Sequence, residues 1–203
     1  SNQPAMATRS SPWPDTLGVS RRAVLGGGVA ALVLPPGALA QAVDPVAGAI
    51  RAGGCAVLIR HAQTVAGVGD PPGFRVDMCS TQRNLSEDGR AQARRIGQWF
   101  QTQGLKPRAV QSSAWCRCKD TADLAFGRHI VWQALNSFFD SRDSQAAQTA
   151  QLRAALARIP AGQFEVWVTH QVNMSALTGE GMVMGEGLVV NAQGKMVARS
   201  TFG

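Results

Sequence analysis

Two apolar runs, each ending abruptly at a histidine, constrain this chain more than anything else in it. Cys55-Ala56-Val57-Leu58-Ile59 runs into Arg60-His61, and Phe164-Glu165-Val166-Trp167-Val168-Thr169 runs into His170. Short stretches of this kind are what strands in a parallel sheet look like, since such strands are buried on both faces. In open α/β sheets, ligands bind just beyond the carboxyl ends of the strands. Two imidazoles and a guanidinium are therefore delivered to the edge where α/β proteins do chemistry.

The rest of the chain supplies helices between such strands. Residues 41–54 read as a helix stopped at Gly53-Gly54, before a first strand over Cys55–Arg60. A Gly/Pro-rich loop follows through Gly67, Gly69, Pro71, Pro72 and Gly73, of a length suited to lying over a site. Ser86 caps the next helix, with Glu87 and Asp88 on the positive end of its dipole. Ala93, Ile96, Gly97 and Phe100 mark its buried face, and Gly104 ends it. A strand over 107–113 leads to a helix over Trp115–Phe126. Ile130–Leu135 reads as a short strand, Asn136–Asp143 as a loop and Gln145–Ile159 as a helix closed by Pro160. Phe164–Thr169 is a strong strand, Met174–Thr178 a short helix, and Gly187–Asn191 with Lys195–Ser200 a terminal hairpin. Strands alternating with helices predict one α/β domain over 41–203: a three-layer α/β/α sandwich around a mostly parallel sheet.

The N-terminal 40 residues have a different character. Ser1–Ala5 read as a vector remainder. Ser20-Arg21-Arg22, the apolar run to Leu34 and Ala38-Leu39-Ala40 have the layout of a twin-arginine secretory signal cleaved after Ala40. That run is broken by glycines and stopped by Pro35-Pro36, too short for a stable membrane span. The expected location is therefore the periplasm.

Net charge is +7; setting aside the three arginines and one aspartate of residues 1–40 leaves +5. A basic domain without Lys/Arg runs, and with little interleaving of aromatics and basics, suits a small anionic ligand better than nucleic acid. Four cysteines in an exported chain permit disulfides. Cys116 and Cys118 stand too close to bridge each other; one bond from Cys79 to the 116–118 segment and buried free thiols are both open. No paired Cys or His spacing of a zinc site is present, and neither metal nor cofactor is expected.

The histidines are three: His61, His129 and His170. If the strands before His61 and His170 are parallel neighbours, the two rings meet. The 107–113 strand exits at the same edge through Ser112-Ser113 to Arg117, near a helix start. Arginine presents a planar fork of donors matched to phosphate oxygens. A neutral histidine with one nitrogen held by a carbonyl offers the other as nucleophile. In-line attack spreads charge over equatorial oxygens, which Arg60, Arg117 and a protonated His170 would stabilise.

Three ordered segments carry a resemblance to a known family. Leu58-Ile59-Arg60-His61-Ala62-Gln63-Thr64 resembles the Arg-His-Gly signature of the histidine phosphatase superfamily, the phosphoglycerate mutase-like fold. Ser112-Ser113-Ala114-Trp115-Cys116-Arg117-Cys118-Lys119-Asp120-Thr121-Ala122 is similar to its second-arginine segment, and Val168-Thr169-His170-Gln171-Val172-Asn173 stands where its second histidine is expected. Gly185-Glu186-Gly187-Leu188-Val189-Val190 resembles a strand start of exported members, so that the likeness spans about residues 53–200. It implies a metal-independent phosphatase acting on a phosphomonoester, such as a phosphorylated envelope sugar. His61 would be the phospho-carrier, Arg60 and Arg117 the grip, His170 the completion of the pocket, and Thr64 a hydroxyl contact. The sequence departs from the family at the proton donor. Gln171 follows the second histidine where one branch has Asp, and Ser137 lies near the position of a Glu in another. Asp140, in the loop expected to face the pocket, is the candidate acid, with Glu186 and Glu180 behind it. The alternatives to hydrolysis are a phosphotransferase and a phosphate- or glycan-binding module without turnover.

Overall fold

The computed structural model describes residues 44–202. The vector remainder, the twin-arginine segment and its cleavage after Ala40 lie outside the described residues. Five α-helices, α1 (Pro45–Ala52), α2 (Glu87–Thr102), α3 (Cys116–Phe126), α4 (Gln145–Leu156) and α5 (Gln171–Thr178), alternate with six strands. The strands are β1 (Cys55–Arg60), β2 (Ala109–Ser112), β3 (Ile130–Val131), β4 (Phe164–Thr169), β5 (Gly187–Asn191) and β6 (Met196–Ser200). They form one sheet in the order β3-β2-β4-β1-β5-β6. β1, β2, β3 and β4 are parallel, and the β5–β6 hairpin adds the antiparallel edge, with a register shift at Val189/Val190. The expected three-layer sandwich is what forms.

The alternation of side chains along β1 and β4 builds two cores. On one face Val57, Ile59, Val166 and Val168 pack against Ile50 of α1, Ile96 and Phe100 of α2, and Ala122 of α3. On the other, Leu58 and Trp167 meet Leu152 and Leu156 of α4 with Met174 and Leu177 of α5. Strands covered on both faces read as continuous apolar runs, which is why they stood out in the sequence. Ser86 caps α2 by accepting from the Gly89 amide, as its position before two acidic residues implies. Gly97 of α2 lets that helix lie directly on the Ala125 backbone of α3, where a Cβ would collide with the carbonyl.

Two local expectations are corrected. The 130–135 segment is strand only at Ile130–Val131. Trp132 donates to the Ser112 carbonyl, and the chain then turns as a 3-10 helix that buries Ala134 and Leu135 in the second core. α5 begins at Gln171, three residues earlier than the apolar pattern implied, because His170 is its extended N-cap.

Candidate functional site

The site lies at the carboxyl ends of three neighbouring parallel strands. β1 pairs with β4 in a register that sets Arg60 opposite Thr169, and β4 pairs with β2 through Ser112 and Val168. The His61 amide continues that ladder to the Thr169 carbonyl at 3.0 Å, and the Ser113 amide does the same to Val168. His61 and His170, 109 positions apart in the chain, thus come to adjacent corners with ring centroids 5.6 Å apart. Arg117 enters from the first turn of α3, whose start follows β2 by a few residues.

Beyond these strand ends opens a cavity of about 630 Å³ lined by Arg60, His61, Arg83, Arg117, His170 and Asp70, among others. His61 is 3 % exposed, and its Nδ1–H donates to the Ala62 carbonyl at 2.9 Å. That bond leaves the Nε2 lone pair unprotonated. Burial pulls its pKa down to about 3, the Ala62 carbonyl opposes this, and the Arg117, Arg60 and Arg83 guanidiniums add to the lowering. The His170 Nε2 lies 2.8 Å from the Ser113 hydroxyl. Burial, then His61 and the three arginines, hold its pKa well below the ordinary range. Where the sequence suggests a protonated His170, the structure has a buried ring facing three cations, an environment that favours the neutral form. The Cys118 thiol, 3.5 Å from the same Nε2, is pushed up to about 12 by burial and stays protonated.

The guanidiniums are anchored at one end. Arg60 donates from Nη1 to the Met182 carbonyl, and Arg83 from Nη1 to Gly67. Arg117 gives Nη1 and Nη2 to the two oxygens of Asp70 at 2.7 and 3.1 Å. The buried Nε–H groups of all three find no hydrogen-bond partner among the described residues. A buried donor without a partner is costly, by about 1–3 kcal/mol, and the three guanidiniums together line one cavity with positive charge that suits an anion. Burial and the proximity of Arg117 lower the pKa values of Arg60 and Arg83.

The remaining expected residues divide. Asp140 and Gln171 line the cavity at exposed positions and Ser137 at a half-buried one. Thr64 is not in the lining: its hydroxyl donates to the Met184 sulfur and its backbone bridges to Leu85. Glu180 and Glu186 are both held by Arg199, and Glu186 also accepts from the Val183 amide, so neither reaches the cavity. Of the cysteines, Cys79 bonds to Cys116 with Cα atoms 5.6 Å apart, while Cys55 and Cys118 are free and buried. His129 pairs with Asp123 on α3, outside the cavity lining.

Arg83 and Asp70 were not foreseen. Asp70 sits in the Gly/Pro-rich loop already placed over the site, which was the available signal; Arg83, just ahead of the α2 cap, carried none. Gln82 and the disulfide hold that segment against α3, since the Gln82 Oε1 accepts the Cys116 amide at 2.9 Å. Among the described residues, no helix is long and apolar enough to cross a membrane.

The model of the histidine phosphatase superfamily (branch 1) matches residues 56–180. No curated protein sequence matches the chain. Among solved structures, a protein assigned as the phosphohistidine phosphatase SixA of Agrobacterium tumefaciens is 20% identical, covers 72% of this chain and 97% of its own, and superposes with a TM-score of 0.50. The protein histidine phosphatase SixA complexed with tungstate is 14% identical, over 71% of this chain and 95% of that one, with a TM-score of 0.50. A phosphoglycerate mutase from Thermus thermophilus is 18% identical, over 71% and 97%, again at 0.50. At these identities the likeness is one of fold.

Proposed function

This chain belongs to the histidine phosphatase superfamily, and on that premise we propose that it hydrolyses a phosphomonoester through a phosphohistidine formed on His61. The observation that carries the reading is the convergence of a neutral, carbonyl-tethered His61 with the guanidiniums of Arg60, Arg83 and Arg117 on one cavity. In the first step the His61 Nε2 lone pair bonds to phosphorus as the ester P–O bond breaks. Charge building on the phosphoryl oxygens is met by Arg60, Arg83 and Arg117. His170, held neutral first by burial and then by the neighbouring cations, becomes a further donor if a proton enters from solvent together with the dianion. The leaving oxygen receives its proton from Asp140, which then accepts one from the water that attacks the phosphohistidine. That attack releases inorganic phosphate and restores His61.

A phosphate fills only a small part of the cavity. Beyond its floor, Ser137, Gln145, Gln171 and Ser175 offer polar contacts, and Phe138 and Phe139 offer apolar faces. This mixture suits a phosphorylated sugar, and with the twin-arginine segment Ser20-Arg21-Arg22 we place the protein in the periplasm, acting on an envelope sugar phosphate.

The test is release of phosphate from an aryl phosphate, with acid-labile, base-stable label trapped on the protein from labelled substrate. Both signals are expected to vanish in His61→Ala. Turnover surviving that change refutes the mechanism. A second reading has its own support: Ser137 and Gln171, at the cavity, cannot act as acids, and Asp140 is exposed. Tight phosphate binding with no hydrolysis of any ester, aryl esters included, would identify a binding module instead.

A further inference from the structure

The Asp70 carboxylate is unusual in having every acceptor position filled. Oδ1 accepts from the Arg83 amide at 2.9 Å and from Arg117 Nη1 at 2.7 Å. Oδ2 accepts from the Trp115 indole at 3.0 Å and from Arg117 Nη2 at 3.1 Å. A carboxylate has about four in-plane lone-pair sites, so nothing is left for a substrate or a transferable proton. Its side chain is 4 % exposed and that of Arg117 5 %. Asp70 therefore neither binds substrate nor serves as the acid.

Its effect is on Arg117. A guanidinium has five N–H groups arranged as forks. The outer fork, Nη1 and Nη2, is taken by Asp70, and the second Nη1 hydrogen faces the Arg83 carbonyl at 3.4 Å. What remains is the inner fork, Nε–H with the second Nη2 hydrogen; the Nε itself is covered by its neighbours and has no partner among the described residues. We propose that Asp70 is the positioning residue of the phosphoryl pocket, holding the outer fork of Arg117 so that its guanidinium is fixed at the cavity wall beside the transferring phosphoryl group. This rests on the phosphatase reading of the site.

The placement also settles the charge of the floor. Three guanidiniums less one carboxylate leave two positive charges, the complement of a phosphomonoester dianion. Asp70 adds to the ties among three pieces: the 67–73 loop, the segment carrying Arg83, and the start of α3. A preset donor acts on the transition state more than on the ground state, because it needs no rearrangement as charge develops.

Asp70→Asn keeps the shape but presents an NH2 to donors, which releases the outer fork. The expected result is a roughly hundredfold fall in kcat on an aryl phosphate, the scale for losing one preorganised donor. Affinity for inorganic phosphate should weaken by no more than about threefold, because the floor gains positive charge. In an Arg117→Lys background the same change should cost less than about threefold in kcat, as Asp70 acts through Arg117. If Asp70→Asn does not fold, Asp70→Glu, which keeps the charge but displaces the carboxylate, should show the same split between kcat and phosphate affinity. An unchanged kcat, a loss of phosphate binding in step with kcat, or full additivity with Arg117→Lys each overturns the proposal. A wild-type chain that neither binds phosphate nor turns over the ester overturns the phosphatase reading and this proposal with it, whereas an active wild type with an indifferent Asp70→Asn overturns this one alone.

Discussion

Replacing Cys79 and Cys116 together by alanine should cost about 4 kcal/mol of folding stability. The bond joins residues 37 positions apart, and closing a loop of that length in the unfolded chain carries about that much entropy. Most of the change arises in the unfolded state, with a smaller part from the loss of the buried Cys116 sulfur. Cys79 is exposed, so truncation there removes no packing, and the Gln82 side chain still accepts the Cys116 amide and holds the two segments together. Since small domains have roughly 5–15 kcal/mol in total, the loss is a large share of the whole. It corresponds to a fall in Tm of about 8–16 °C for a domain of this size. Urea unfolding followed by tryptophan fluorescence measures it, with oxidised wild type, wild type under a thiol reductant and the double variant compared. The last two should agree to within about 1 kcal/mol, the worth of the buried Cys116 sulfur, because Cys55 and Cys118 are buried and take no part. Within the folded population, kcat should change less than tenfold, as Gln82 keeps Arg83 near Arg117. A stability loss below about 1 kcal/mol, or a wild type indifferent to reductant, would show that the unfolded chain is not constrained by this bond and refute the reasoning.

Asp140→Asn should slow hydrolysis of an alkyl phosphate by a hundredfold or more and that of an aryl phosphate by less than tenfold, since only the poor leaving group needs a proton; equal losses on both esters would remove Asp140 as the acid. Stability should fall with pH below about 6.5. The unfolded histidines gain protons there, while folded His61, with its pKa near 3, and His170, lowered likewise, refuse them. The slope is up to about 1.4 kcal/mol per pH unit for each ring. Melting curves between pH 7.5 and 5 would show it, and a His61→Asn/His170→Asn variant with an unchanged slope would contradict the assignment. Gly97→Ala should destabilise by about 2 kcal/mol or more by forcing α2 off the Ala125 carbonyl. Gly48→Ala, with open space around its Cβ in α1, should stabilise by roughly 0.5–1 kcal/mol. Urea midpoints of the two variants moving in the same direction would refute that packing argument.

Local pattern was enough for much of this protein. The apolar runs of β1 and β4 could be seen because strands buried on both faces admit little else, and a residue following such a strand must emerge at its carboxyl end. Arg60, His61 and His170 could therefore be placed from their neighbours along the chain, and Arg117 from a helix start just past β2. The α2 cap at Ser86 is equally local. Tertiary structure decided whatever depended on a partner distant in sequence. The β1–β4 pairing, not either strand alone, brings the two histidines together. Thr64 follows His61 by three residues yet bonds Met184, and Glu186 is drawn to Arg199, because side-chain direction depends on what the fold sets opposite. The choice of Cys116 over Cys118 reflects the face of α3 on which each falls, one meeting the Cys79 loop and the other buried beside His170. Asp70 is the clearest case: it is one carboxylate in a glycine-rich loop until the fold surrounds it with Arg117, Arg83 and Trp115. A sequence carries a residue's charge and the periodicity of its neighbours; the forks and lone pairs that charge will meet are set only when segments tens of residues apart pack together.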